Sequence, residues 1–112
     1  MDKREFKRFD VGLKVEAQKD GKEYAGLVLD FSKKGLKAVF DDFKLDLNSP
    51  LELKIQRPGH DDWIVARAQA IWKKQAFNRC SVGLKIREIA PENKAEILEY
   101  GYLKWLKDIG II

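Results

Sequence analysis

Scarcity says much about this chain before any motif does. Its 112 residues hold one cysteine, one histidine, one methionine and three prolines. A lone cysteine excludes an intramolecular disulfide, and Cys80, set within an apolar alternation, reads as a small buried hydrophobe rather than a nucleophile. With His60 alone and no partnered cysteine there is no ligand set for a structural zinc, so no metal or cofactor is expected. His60 lies in Pro58-Gly59-His60-Asp61-Asp62, where Asp61 and Asp62 are turn residues before they are an acid–base pair. The inventory argues against an enzyme. No apolar run approaches the ~20 residues that span a bilayer, and Met1-Asp2-Lys3-Arg4-Glu5 leads into charge rather than a secretory core. The expectation is a soluble protein in a reducing, cytoplasmic setting, with no direct membrane insertion.

Charge of one sign is not in large excess either. Twenty-two Lys and Arg face eighteen Asp and Glu, a formal net charge of +4. Such a mild surplus matters only through its placement. It is concentrated at Lys3, Arg4, Lys7 and Arg8, with smaller groups at Lys33 and Lys34 and at Lys73 and Lys74. The length suits a single domain able to bury one core without staples.

What the chain does have is alternation. Residues 1–9 show no clean period and read as a mobile basic arm that needs a partner to order it. From Val11 the residues Val11, Leu13, Val15 and Ala17 share one face, the mark of a half-buried strand. Asp20-Gly21 then turns the chain into a second strand ending at Asp30. Leu36 to Phe40 forms a third strand, and Asp41 to Pro50 a loop that packs a few apolar side chains. Leu51, Leu53 and Ile55 mark a fourth. A fifth runs from Trp63 to Trp72, and after a turn near Phe77-Asn78 a sixth carries Cys80, Val82, Leu84 and Ile86 on one face. Consecutive strands without intervening helices predict a mainly β, six-stranded antiparallel barrel over residues 10–89. At Pro91 the period changes: proline suits the first helical position, Glu92 and Glu96 the N-terminal end, Lys104 and Lys107 the C-terminal end. A helix over 91–109 is predicted, with Leu98, Tyr102, Trp105 and Ile109 as its apolar stripe against the barrel.

The connection between the second and third strands, Asp30-Phe31-Ser32-Lys33-Lys34-Gly35, carries the most chemistry. Asp and Ser bond backbone in turns and Gly closes them, so alone it reads more readily as plain turn chemistry. The arm changes its weight. Arg4-Glu5-Phe6-Lys7-Arg8 holds two arginines four apart, and Asp30 follows 22 positions after Arg8. Here the chain resembles the PilZ domain family, whose members bind cyclic di-GMP through R-x-x-x-R on an N-terminal arm and [DN]-x-S-x-x-G on the barrel. Arg4 and Arg8 match the first motif; Asp30, Ser32 and Gly35 match the second. Trp72-Lys73-Lys74, Val82-Gly83-Leu84-Lys85-Ile86 and the final helix extend the likeness over nearly the whole chain, as a single PilZ-type barrel with a C-terminal α-helix.

The resemblance implies that Arg4, Arg8, Asp30, Ser32 and Gly35 line a cyclic di-GMP site. The chemistry fits: a guanidinium forks onto phosphate or lies flat on a purine, and Asp30 suits the N1 and N2 donors of guanine. Three further residues are candidates. Lys3 precedes the arginine pair, where the family sets whether one or two ligand molecules stack; Lys7 adds field; Trp72 offers an aromatic platform. The expected mechanism is a switch: ligand orders the arm and alters the surface shown to an unidentified protein partner. Family members of this size act on motility, attachment or exopolysaccharide output. Two other readings compete, a PilZ-like adaptor without ligand and a small nucleic-acid-binding barrel. The modest charge and the confinement of the motif arginines, Arg4 and Arg8, to one arm count against nucleic acid.

Overall fold

The computed structural model of the chain describes residues 7–44 and 46–112. Alternation becomes a barrel through six strands: β1 (Phe9–Lys19), β2 (Lys22–Phe31), β3 (Gly35–Phe40), β4 (Pro50–Gln56), β5 (Trp63–Ala76) and β6 (Arg79–Ile89). All six pairings are antiparallel, and the order β1-β2-β3-β6-β5-β4 closes when β4 meets β1. Closure leaves the inward positions nowhere to go but one core. Phe31, Leu36, Phe40, Leu53, Ile55, Ile64, Val82 and Leu84 are fully buried. Each such side chain contributes about 1.5–3 kcal/mol through lost apolar exposure.

The turns follow their residues. Asp20 and Gly21 both adopt positive φ, 52° and 78°, the conformation that matches the twist of a two-residue hairpin. The β3–β4 connection tucks Phe43 beneath the barrel, its ring 5.0 Å from Phe40 and 5.4 Å from Tyr24, while Leu47 stays exposed. Cys80 is buried in β6, as its setting predicts, and burial pushes its thiol pKa up.

Strand β1 begins at Phe9, two residues before the alternation shows it, with Phe9 opposite Phe31. The pattern is hidden because the register shifts between Asp10 and Leu13, where Gly12 takes φ 63°. A bulge breaks period two, so the first residues of the strand do not read as strand.

Helix α1 (Pro91–Asp108) starts with proline in its first turn and lies against β1. The predicted stripe reaches the barrel in part: Leu98 packs on the core and the rings of Tyr102 and Trp105 lie 5.9 and 6.3 Å from that of Phe9 on β1, but the deepest contacts fall elsewhere. Ile97 and Gly101 are the buried positions and Leu98 packs partly against the core, whereas Tyr102 and Ile109 are exposed. The cause is Gly101: a Cβ there would lie 2.6 Å from Phe9 Cβ, so the missing side chain sets where helix and strand touch. Ile109 falls beyond the last helical turn. The helix is tied to the β4–β5 turn by Arg57, whose Nη2 donates to Asn93 Oδ1 at 3.2 Å and whose Nε sits 3.5 Å from Asp62 and 3.8 Å from Glu96.

Candidate functional site

Strands β2, β3, β5 and β6 and one turn build a cleft of about 450 Å³ on the barrel flank. Asp30 stands at the end of β2, opposite Asp10 on β1 and Lys37 on β3, beside a register shift after Val28. Arg8, immediately before β1, reaches it from the arm: Nη2 and Nε both donate to Asp30 Oδ1, at 2.5 and 2.9 Å. The side chains are 36% and 21% exposed, so the pair sits at the mouth rather than in the core. Two residues 22 apart in sequence, one from each motif, are thereby brought into one ion pair.

Ser32 and Gly35 act first on the turn itself. Ser32 N donates to Gly35 O at 2.8 Å, Ser32 Oγ donates to the same carbonyl at 3.1 Å, and Gly35 N donates back to Ser32 Oγ at 3.3 Å. This closed set accounts for Ser32 being the buried polar residue of the described residues, 4% exposed. Gly35 is needed for close approach: a Cβ there would lie 2.7 Å from Leu84 O of β6. The turn is therefore pressed onto the neighbouring strand, and Ile86 N donates to Lys34 O at 2.8 Å to hold it there. The motif fixes the height and direction at which Asp30 leaves the barrel.

Trp72 forms the opposite wall. It lies on β5 just past a register shift at Ala70 and is 41% exposed, with its indole laid over Gly83 of β6. Any side chain at Gly83 would collide with that ring; a Cβ would stand 2.6 Å from Trp72 Cδ1. Lys34, Lys37 and Lys85 complete a cationic rim, and Ile71, Leu36 and Leu84 supply apolar lining. The cleft thus offers several cations, one carboxylate and one flat aromatic face. That combination fits an anion carrying a planar group with hydrogen-bond donors.

Arg8, Asp30, Ser32, Gly35 and Trp72 meet here as the sequence suggests. Lys7 does not: its Nζ lies 3.6 Å from the Trp105 ring centroid on α1 and 5.8 Å from that of Phe9. Lys3 and Arg4 lie outside the described residues. Sequence reasoning did not assign Lys37, Lys85 or Gly83 to the site. Lys37 and Lys85 are polar positions in alternating strands, and β3 meets β6 rather than β4, so nothing local places them together. Among the described residues no group of His, Cys, Asp or Glu is arranged to hold a metal, and no helix is long and apolar enough to cross a membrane.

Comparison with known proteins agrees with this architecture. No curated protein matches the chain. Among solved structures, the Bacillus subtilis inhibitor of motility MotI/DgrA superposes with a TM-score of 0.80 at 22% identity, over 96% of this chain and 53% of that one. The PilZ domain of Escherichia coli YcgR with c-di-GMP gives 0.77 at 11% identity, over 99% and 100%. YcgR of Escherichia coli in complex with c-di-GMP gives 0.75 at 13%, over 96% and 48%. The chain thus spans about half the length of MotI and of the longer YcgR chain, and at these identities the likeness is one of fold. A family model described as the PilZ domain matches residues 2–102, and the chain belongs to that family.

Proposed function

We propose that this PilZ domain is a receptor for cyclic di-GMP, not a catalyst, and that the cleft between the Asp30 turn and Trp72 takes the ligand. The observation that carries the reading is the meeting of Arg8 and Asp30, one residue from each family motif, at the mouth of a cationic cleft with an exposed indole. Arg8, with Arg4 of the same arm, supplies the phosphate contacts and a plane for one base. Asp30 accepts from the N1 and N2 donors of guanine. Ser32 and Gly35 hold the turn that aims Asp30, Trp72 stacks on a base, and Lys34, Lys37 and Lys85 add field. Lys3 bears on whether one or two ligand molecules bind.

Binding exchanges the Arg8–Asp30 pair for contacts with ligand and orders the arm ahead of β1 over barrel and ligand. The changed surface is read by a protein partner in motility, attachment or exopolysaccharide control, in the cytoplasm. The test is calorimetric titration with cyclic di-GMP, beside Arg8→Ala, Asp30→Ala and a cyclic di-AMP control. Saturable binding that both variants lose and the adenine analogue lacks supports the receptor. No binding by the wild-type chain refutes it and favours the ligand-free adaptor.

A further inference from the structure

Residues 63–87 contain no Asp or Glu but six cations: Arg67, Lys73, Lys74, Arg79, Lys85 and Arg87. They make up all but the last two residues of the β5–β6 hairpin; Glu88 follows and lies 3.7 Å from Arg67 at the barrel end, while the outer end leaves the barrel. β4 accompanies β5 only as far as Gln69, so residues 71–76 pair with β6 alone, and every residue from Ile71 to Arg79 is exposed. At the tip stands Phe77, fully exposed, at φ 56°. Both properties are costly. A bulky side chain disfavours the left-handed region that glycine or asparagine accepts readily, and an aromatic ring on a hairpin tip gains no burial. Lysines on an unpaired edge guard against strand addition, but Phe77 has no such role. An exposed aromatic held in a disfavoured conformation points to contact with something outside the chain.

The geometry points to an anionic membrane surface as that occupant: Phe77 inserts at the lipid interface while Lys73, Lys74 and Arg79 behind it meet acidic headgroups. Charge complementarity selects an anionic target. Acidic groups from other elements stand nearer the barrel: Glu52 of β4 opposite Arg67, Asp41 lining a groove with Arg79, and Asp42 acting on Cys80. A single ring on a narrow tip is far from the ~800 Å² that each partner of a stable protein interface buries, but it suffices for an interfacial anchor assisted by basic residues. This is insertion to the depth of one side chain, shallower than any spanning segment and beyond the expectation of no membrane insertion. It stands independently of ligand binding.

The test is co-sedimentation of the whole chain with vesicles of equimolar phosphatidylglycerol and phosphatidylcholine, against phosphatidylcholine alone. Wild type is expected to bind only the anionic vesicles. Phe77→Asn should weaken binding roughly tenfold through lost apolar contact. Lys73→Glu with Lys74→Glu should weaken it further, each cation near such a surface being worth about fivefold. Phe77→Asn should also melt no lower than wild type, because asparagine tolerates φ 56° and no packing is lost. Absence of binding to anionic vesicles overturns the proposal. So do equal binding by Phe77→Asn, a lower melting midpoint for that variant, or equally tight binding of poly-glutamate, which would mark a site for acidic protein.

Discussion

Replacing Gly83 by alanine adds one methyl group and should empty the cleft of its aromatic wall. The new Cβ would stand 2.6 Å from Trp72 Cδ1, well inside contact distance, with Nε1 and Cε2 of the indole closer still. β6 is fixed by pairing on both sides, to β3 through Lys37 and Ala38 and to β5 through Trp72 and Lys73, so the backbone does not yield. The indole is 41% exposed and does: it swings outward. The stability cost is then small, because part of an aromatic burial is lost while alanine gains about 0.5–1 kcal/mol over glycine in an extended strand. Binding is another matter. Base–aromatic stacking is worth about 1–3 kcal/mol, so Gly83→Ala should raise the Kd for cyclic di-GMP roughly 5- to 150-fold with a melting midpoint within a few degrees of wild type. Trp72→Ala should give the same loss, and the double variant no more than either alone, since both remove one platform. Titration calorimetry and thermal denaturation of the four proteins settle it. Additive losses, or a wild-type Kd for Gly83→Ala, would refute the argument that Gly83 exists to seat Trp72 against the ligand.

Three other substitutions or treatments probe the same physical picture. Asp30→Asn removes a half-exposed ion pair with Arg8, worth less than about 1 kcal/mol, so its urea midpoint should barely move while cyclic di-GMP binding falls at least tenfold in calorimetry. Gly101→Ala should reverse the usual helix rule: alanine normally stabilises a helix interior, but here its Cβ meets Phe9 Cβ at 2.6 Å, and overpacking should cost about 1–3 kcal/mol in denaturant titration. Cys80 should resist a thiol reagent in the native state and react at once in denaturant. Burial raises its pKa, so the fold favours the neutral thiol; that stability is complete below the ordinary thiol pKa and lost as pH rises toward the raised one. Wild type should therefore lose stability in mildly alkaline buffer relative to Cys80→Ala.

The barrel is legible in the chain because its inward residues keep strict alternation in β4 and β6 and because Asp20-Gly21 names its own turn. The start of β1 is not, since a bulge at Gly12 breaks the period. The stripe of Leu98, Tyr102 and Trp105 does meet the barrel, but the closest point of contact is missed for a related reason: periodicity counts large apolar residues, whereas the approach is set by the small one, Gly101, that admits Phe9. The two motifs announce Arg8, Asp30, Ser32 and Gly35, because their spacing is local to one arm and one turn. Lys37, Lys85 and Gly83 are invisible for the opposite reason, being assembled by the β3–β6 and β5–β6 registers. Lys7 shows the limit of reading along the chain: between two arginines it looks like part of the same cluster, yet its ammonium rests on Trp105.

The contact between Arg8 and Asp30 bears on what the cleft refuses. Inorganic phosphate and chloride abound in any cell, and each is drawn to a guanidinium. Neither takes Arg8 without depriving Asp30 of its ion-pair partner beside an arriving anion. A rival of that kind must therefore overcome a repulsion of the site's own making. Only a molecule that brings an anion for the arginine and, within the same rigid frame, donors for the carboxylate satisfies both at once. In the proposed receptor, selectivity against such anions rests on two side chains that hold each other until a ligand able to replace both arrives.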